Sequence, residues 1–354
     1  AHYFILSNFL PTKKQLWFEF SLGMIWISYY LAIYTNPGKP TPGFRPSKFE
    51  WENFCNKCNN YKPERAHHCK ACNQCVLSMD HHCPWTMNCV GHKNFAHFIR
   101  FLFWVIETTG FLLTYLVKRI LFLWNRRHMP NYFVHRSELI FLTILTPMDA
   151  FVLLTISLLL LRCAKNQILK GMTQIESWEM DRIENMFHSG QLIPQMLENL
   201  KEIRPGSLPN QDNDIRKLLS QNRLSLDEIV NFPYDLNPWA NAVNSLGDIY
   251  SWLLPWGTAK GNGMIFEKNE LSVYEPEIPI EDKLLSLPWP PDGGRHKVPG
   301  GGANDVNSVE SSTRDGERVV RKRWVDPRTT MPRKKWYNDW GENLADFGVD
   351  LDEE

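Results

Sequence analysis

The sequence lacks an excess of charge of either sign, because 39 Lys and Arg balance 39 Asp and Glu among its 354 residues. Proteins that bind nucleic acids neutralise phosphates with Lys and Arg, so a chain without a basic excess offers no such footprint. The charge balance therefore argues against a nucleic-acid partner, and we expect none.

The second half of the chain lacks internal repeats and has few convincing strand patterns. Residues 162–354 are polar, with scattered Pro, Gly and Asn, and we treat them as one C-terminal tail. Within it, residues 293–317 and the acidic end "DLDEE" are typical of flexible segments. By contrast, residues 230–257 are apolar enough to dock on the membrane or on the Cys-rich segment described below.

Long apolar runs are abundant in the first half of the chain. Residues 16–34, 97–117 and 138–161 are each close to the roughly 20 residues that a membrane-spanning helix needs. Buried core helices of a soluble protein are the alternative, but aromatic ends and basic flanks favour spans. The sequence thus predicts an α-helical integral membrane protein.

The opening residues, "AHYFILSNFL", resemble the end of a further apolar segment. We expect residues 1–10 to be the end of a first transmembrane helix, which gives four spans in the complete protein. The features of a signal peptide, a basic start and a small-residue cleavage site, are not visible in this stretch.

Two basic loops compete for the cytosolic side of the membrane. Loop 118–137 is basic, and loop 35–96 has eight Lys or Arg and four acidic residues. Because metal-binding thiolates persist best in a reducing compartment, we place 35–96 and the tail 162–354 in the cytosol. Loop 118–137 is then predicted to be lumenal.

Cysteine is scarce outside one short segment, since seven of the eight Cys lie between Cys55 and Cys89 and only Cys163 stands apart. The C-x-x-C steps in this segment suit metal binding better than disulfides. Six Cys and two His would complete two Cys₃His zinc sites and leave Cys83 over. Spacing alone does not decide which residue serves which ion, and Cys83 as a ligand would make the segment purely structural.

The segment "YKPERAHHCKACNQCVLSMDHHCPWTMNCVGHKNFAHF" resembles the cysteine-rich domain of the DHHC protein S-acyltransferases. The resemblance implies a zinc-stapled cytosolic domain, here 35–96, with two interleaved structural Zn²⁺ sites. One site would take Cys55, Cys58, His68 and Cys75, and the other would take Cys69, Cys72, His82 and Cys89. Cys83 would be the nucleophile, with His81 as its base and Asp80 orienting that base.

The resemblance also implies an activity. Cys83 would accept a palmitoyl group from acyl-CoA and pass it, in a two-step ping-pong reaction, to membrane-proximal cysteines of substrate proteins. Trp85 is predicted to pack on the acyl chain near the thioester, and the alternative is an interfacial or core Trp without that role. The tail is similar to fungal members of the endoplasmic reticulum, which implies a multi-pass protein of that membrane with its active site facing the cytosol. The alternative is a membrane-anchored zinc-binding scaffold or adaptor without catalysis.

Three weaker family motifs occur with departures or alternative explanations. In "TNPG", Asn36 stands where the family usually has Asp, which puts a charge-dependent role in doubt, and a turn that ends a helix is the favoured explanation. In "TQIE", Gln174 replaces a Thr, which puts a contact with the active site in doubt, and Thr173 with Glu176 also fits a capping box. The third motif is "NAVNSLG" (241–247), with Asn241 as its key position. We expect Asn241 to satisfy backbone groups and to dock the tail under the helices.

Overall fold

The computed structural model describes residues 10–128, 136–206, 225–294, 308–312, 318–322 and 326–353. The predicted end of a first transmembrane helix, residues 1–10, lies outside the described residues except for Leu10.

Three helices in the described part of the chain are long and apolar enough to cross a membrane. They are α1 (Thr12–Tyr34), α2 (Phe95–Asn125) and α3 (Arg136–Ala164), which continues into a π-helix, Lys165–Leu169. Each contains one of the predicted apolar runs and extends beyond it. Apolar side chains on α3, such as Phe151 and Leu161, are exposed, as expected for a surface in contact with lipid.

The prediction that loop 118–137 begins directly after a span is wrong for its first part. Helix α2 has 31 residues and includes residues 118–125, which the sequence analysis assigned to the loop. At about 1.5 Å per residue such a helix is longer than the roughly 30 Å of a hydrocarbon core, so its basic end extends beyond the membrane. Residues 129–135 of this loop lie outside the described residues.

The Cys-rich segment between α1 and α2 is built from three antiparallel two-stranded hairpins. The strands are β1 (Phe54–Cys55), β2 (Asn60–Tyr61), β3 (His67–Cys69), β4 (Gln74–Val76), β5 (His81–Cys83) and β6 (Asn88–Val90). In the second hairpin His68 pairs with Cys75, and in the third His82 pairs with Cys89. Each of these hairpins thus brings a His and a Cys that are seven positions apart onto facing positions.

Two asparagines attach the third hairpin to the end of α1. The Asn88 side-chain amide donates to the carbonyls of Ile33 (3.0 Å) and Thr35 (3.1 Å), and Asn94 donates to that of Ala32 (3.3 Å). The last carbonyls of a helix have no partner within the helix, so these bonds satisfy them and fix the hairpin against the helix end. Since α2 begins at Phe95, directly after Asn94, the hairpin is held between two spanning helices.

The tail contains α4 (Gln174–His188), α5 (Leu192–Ile203), α6 (Pro238–Leu246), α7 (Ile280–Leu285) and a hairpin of β7 (Ser308–Ser312) and β8 (Arg318–Lys322). Single-turn 3₁₀ helices lie at Leu226–Glu228, Ile249–Ser251, Glu270–Ser272, Pro327–Thr330 and Arg333–Lys335. A core of apolar side chains from α4, α5 and α7 holds the middle of the tail together.

Three expectations about the tail meet different outcomes. The segment 230–257 docks on α2, where Arg100 donates to the Ser251 carbonyl (3.1 Å) and Trp104 to that of Leu253 (3.2 Å). Of the segment 293–317 that was predicted to be flexible, Ser308–Ser312 form β7, and residues 295–307 and 313–317 lie outside the described residues. The acidic end is also not free, since Asp350 forms an ion pair with Lys57.

Candidate active site

The first metal-binding group joins the first two hairpins. Cys55, Cys58, His68 and Cys75 place their ligand atoms within 4.8 Å of one another. The His68 Nδ1 atom lies 3.3 Å from the sulfurs of Cys55 and Cys58 and 3.7 Å from that of Cys75. Ligands about 2.1–2.3 Å from a tetrahedral zinc lie roughly 3.5–3.8 Å from each other, so these spacings fit a structural Zn²⁺.

The second group joins the second and third hairpins. Cys69, Cys72, His82 and Cys89 again lie within 4.8 Å of one another. His82 Nδ1 is 3.7, 3.3 and 3.6 Å from the sulfurs of Cys69, Cys72 and Cys89. The two groups are the sets that the resemblance implied, and each links consecutive hairpins. Both have three sulfurs and one nitrogen, the donor set of a closed structural zinc site.

Cys83 belongs to neither group, although it follows His82 directly. Its neighbour His81 shares a 2.8 Å hydrogen bond between Nδ1 and Oδ2 of Asp80, which is 1% exposed. Burial alone would lower the pKa of His81, but the bonds with Asp80 and Cys83 raise it to about 9. Burial would raise the pKa of the Cys83 thiol, and the bonds with His81 and Thr86 lower it to about 7.

Asp80 is fixed from its other side by the chain that follows α3. Its Oδ1 atom accepts from the backbone N–H of Gln174 (2.9 Å) and from the side-chain amide of Gln167 (3.4 Å). Gln167 lies in the π-helix, a distortion that is frequent at functional sites. The Gln174 departure therefore leaves a contact with the active site in place, because that contact uses the backbone rather than the side chain.

The "TQIE" motif carries the capping box and a second contact at once. The Thr173 hydroxyl accepts from the Glu176 N–H, and the Glu176 carboxylate accepts from the Thr173 N–H. The same carboxylate accepts from Arg65 Nε at 2.6 Å, and Arg65 also donates to the Gly171 carbonyl at 2.8 Å. The motif thus ties the start of α4 to the Cys-rich domain.

An apolar cavity of about 730 Å³ ends at Cys83. Its walls come from all three long helices and from the third hairpin. The helix residues in the wall include Leu22, Trp26, Phe98, Phe101, Ile156 and Leu159. Its size lies within the roughly 300–1,000 Å³ of ligand pockets, and its lining suits an apolar chain.

Trp85, Asn36 and Asn241, which the sequence analysis singled out, lie in three separate places in the structure. Trp85 lines the cavity but is 83% exposed, which places it at the rim, and its carbonyl accepts from the Tyr29 hydroxyl (2.8 Å). Asn36 accepts from the Gly38 N–H (2.9 Å), a local turn contact. Asn241 is buried and donates to the Ile168 carbonyl (3.2 Å) while accepting from the Leu236 N–H (3.2 Å), so it docks the tail as expected.

Sequence reasoning missed several residues that shape this site. Gln167 donates to Asp80, and Phe347 lines the cavity beside Cys83. Asn88 and Asn94 hold the third hairpin against the end of α1. Asn88 lies next to the metal-ligand candidate Cys89, which is a weak signal. For Gln167 and Phe347 the sequence carries no local signal, because only the folded tail brings them to the hairpin.

A membrane-embedded acyltransferase is the class of protein that this arrangement indicates. The sequence profile of the DHHC palmitoyltransferase family matches residues 48–181, and the chain belongs to this family. It is 61% identical to the palmitoyltransferase PFA4 of Eremothecium gossypii over 354 residues, which cover 100% of this chain and 93% of the relative. Identity to PFA4 of Kluyveromyces lactis is 56%, over 99% of this chain and 93% of that protein. PFA4 of Saccharomyces cerevisiae is 54% identical, with 100% and 93% covered.

Proposed function

We propose that this palmitoyltransferase works in two steps through a thioester on Cys83. The observation that carries the proposal is the position of this thiol: outside both metal-binding groups, beside the His81–Asp80 pair, and at the wall of the apolar cavity. Thiolate is the nucleophilic form of cysteine, and an adjacent imidazole that accepts its proton favours that form.

In the first step the Cys83 sulfur attacks the carbonyl carbon of palmitoyl-CoA. His81 takes the thiol proton, the bond between the carbonyl carbon and the CoA sulfur breaks, and CoA leaves as a thiol with the proton from His81. Asp80 holds the Nδ1–H of His81, which leaves Nε2 as the proton acceptor and stabilises the imidazolium that forms.

In the second step a cysteine of a substrate protein loses its proton to His81 and attacks the acyl group on Cys83. The acyl–Cys83 bond breaks, a new thioester forms on the substrate, and Cys83 regains its proton. One thioester replaces another in each step, so the reaction needs no oxidant and no ATP. Because the third hairpin is bonded to the end of α1, the acceptor cysteine is expected to lie close to a membrane surface.

The two metal-binding groups have a structural part in this proposal. All eight ligands come from the protein, so zinc at these sites would supply cross-links between hairpins and no open coordination position. The chain's own residues provide the reactive groups, and the cross-links hold β5 where His81 and Cys83 face the cavity.

The cavity would hold the acyl chain. Burial of each CH₂ group contributes about 0.8 kcal/mol, so a long chain gains strongly from leaving water. Trp85, at the rim, is placed to pack on the chain near the thioester.

We further propose that the protein resides in the endoplasmic reticulum membrane with this site facing the cytosol, where reduced thiols persist. The family resemblance and the eight cysteines, none of which forms a disulfide, support this placement.

The test uses purified protein in detergent and palmitoyl-CoA with a labelled acyl group. We expect label on Cys83 that hydroxylamine removes and that chases onto a thiol acceptor. Cys83→Ser should lose the label and keep about two zinc per chain, because the eight zinc ligands are unchanged. Cys163→Ser, which changes another buried thiol near the cavity, is the matched control and should keep the label. Transfer by Cys83→Ser at the wild-type rate would indicate another nucleophile, whereas a wild-type protein that neither takes up label nor transfers it would favour the non-catalytic scaffold.

A further inference from the structure

The last described residues, 343–353, cross the Cys-rich domain, and we name them the C-terminal strap. At β3, the Asp350 N–H donates to the His68 carbonyl (2.8 Å), and directly after this strand the Lys70 N–H donates to the Gly348 carbonyl (3.1 Å). On β5, the His82 N–H donates to the Phe347 carbonyl (2.8 Å). Three strap residues, Phe347, Gly348 and Asp350, thus bond to the two segments that carry the metal-binding histidines.

These bonds join two hairpins that are otherwise separate sheets. Among the described strands, β3 pairs with β4 and β5 pairs with β6, and each sheet has two strands. The strap supplies backbone hydrogen bonds to both β3 and β5. His82 lies between His81 and Cys83, so its bond to Phe347 fixes the middle of the reactive strand.

Side chains of the strap reach the first metal group and the cavity. Asp350 forms an ion pair with Lys57, and its carboxylate is 3.9 Å from Nε2 of His68, a buried atom without a hydrogen-bond partner among the described residues. Metal-binding histidines usually present this second nitrogen to a carboxylate, which sets the ring orientation. The Phe347 ring, 6% exposed, lines the cavity that ends at Cys83.

We propose that the C-terminal strap is a positioning element of the transfer reaction. It holds β5 against β3 so that Cys83 and His81 keep their alignment, and it closes the cavity beside Cys83 with Phe347. The proposal rests on the two-step reaction proposed above, because it concerns the rate at which Cys83 is acylated.

Gly348 allows a sharp test, because its backbone lies against His82 of the reactive strand. The Gly348 φ angle is +82°, and a Cβ atom at this position would lie 2.4 Å from Cβ of His82. Gly341 has a similar φ of +77°, but a Cβ atom there would meet nothing within 4 Å. Gly348→Ala and Gly341→Ala therefore introduce the same backbone strain, and only the first pushes the strap away from β5.

The full chain in detergent is assayed for acylation of Cys83 over a series of palmitoyl-CoA concentrations. Small misplacements of reacting groups slow reactions by up to about 100-fold, so we expect the maximal acylation rate of Gly348→Ala to fall roughly 10- to 100-fold. The half-saturating concentration should change by less than about twofold, since the cavity walls from the helices remain. Gly341→Ala should match the wild type in both quantities.

Two measurements do not depend on activity. A chelator should remove zinc from Gly348→Ala faster than from Gly341→Ala, because the strap no longer supports the histidine-bearing strands. In the wild type, hydrogen exchange of the His82 and Asp350 amides should be slow, because the His82 N–H donates to the Phe347 carbonyl of the strap and the Asp350 N–H of the strap donates to the His68 carbonyl. This second measurement keeps its meaning even if Gly348→Ala does not fold.

Equal maximal rates for the two variants would overturn the proposal, as would complete exchange of the wild-type strap at the shortest labelling time. A wild-type protein that shows slow exchange but never acylates Cys83 would instead overturn the proposed two-step reaction. If Gly348→Ala raised only the half-saturating palmitoyl-CoA concentration and left the maximal rate unchanged, the strap would affect acyl-CoA binding alone, which also contradicts a positioning role.

Discussion

Replacement of Asp80 by Asn tests the proposed role of the carboxylate with little change in shape. The Oδ1 end of Asp80 accepts from Gln174 and Gln167, so the amide oxygen of the variant should stay there. The amide NH₂ then faces Nδ1 of His81, where Oδ2 now lies 2.8 Å away. Because an NH₂ group cannot accept, the imidazole must carry its proton on Nε2 and can no longer take one from Cys83.

The magnitude follows from what is lost. A hydrogen bond to a charged group contributes about 1.5–3 kcal/mol, and each 1.36 kcal/mol is tenfold in rate, so the bond alone predicts a loss of roughly 10- to 160-fold. The wrong tautomer adds to this, as the corresponding Asp→Asn change in a serine protease triad costs about 10⁴-fold. We therefore expect acylation of Cys83 to slow by between about 10- and 10⁴-fold.

The assay is single-turnover acylation of the purified protein at saturating palmitoyl-CoA, with zinc content measured on the same sample. The matched control is Asp282→Asn, which makes the same charge change at an exposed position in α7 and should leave the rate unaltered. Acylation of Asp80→Asn within a factor of about two of the wild type, with zinc retained, would refute the orienting role of Asp80.

Three further substitutions test the frame around the reactive strand. Cys75→Ala removes one ligand of the first metal group and should lower the zinc content towards one per chain by elemental analysis; two retained zinc ions would contradict the interleaved assignment. Asn88→Ala leaves the end carbonyls of α1 without their donor and should cost about 1–3 kcal/mol of stability, seen as a lower thermal midpoint; an unchanged midpoint would contradict this attachment. Gly91→Ala places a Cβ atom 2.7 Å from Val76 Cγ1 and should cost about 1–3 kcal/mol in the same measurement, whereas Gly190→Ala, with nothing within 4 Å, should show only the effect of its positive φ.

The repeating pattern of the cysteines explains why so much of the metal site was predictable. A C-x-x-C step in a tight turn can place two sulfurs on one ion, as Cys55 with Cys58 and Cys69 with Cys72 do, so local spacing predicts zinc. Spacing did not decide between six cysteines with two histidines and a set that includes Cys83. The family resemblance supplied the two sets, and the pairing of His68 with Cys75 and of His82 with Cys89 brings those sets together.

The long helices were predictable for the same local reason, but their ends were not. Apolar runs of about 20 residues indicate spans from composition alone. Helix α2 continues through residues 118–125, where basic side chains suggested a loop, because charge does not stop a helix that leaves the membrane. The tail was predicted least well: its acidic end looked flexible, yet Asp350 is paired with Lys57, almost 300 positions earlier in the chain.

By itself the sequence determined the class of the molecule and the zinc-binding segment, and it predicted Cys83 as the reactive thiol, since each depends on residues close together in the chain. Tertiary structure alone decided what surrounds that thiol: the bond of Gln174 to Asp80, the anchoring of the third hairpin by Asn88, and the passage of Phe347 beside His82. The physical reason is distance along the chain. Contacts between residues tens to hundreds of positions apart form only when packing brings their elements together, and no local pattern records them.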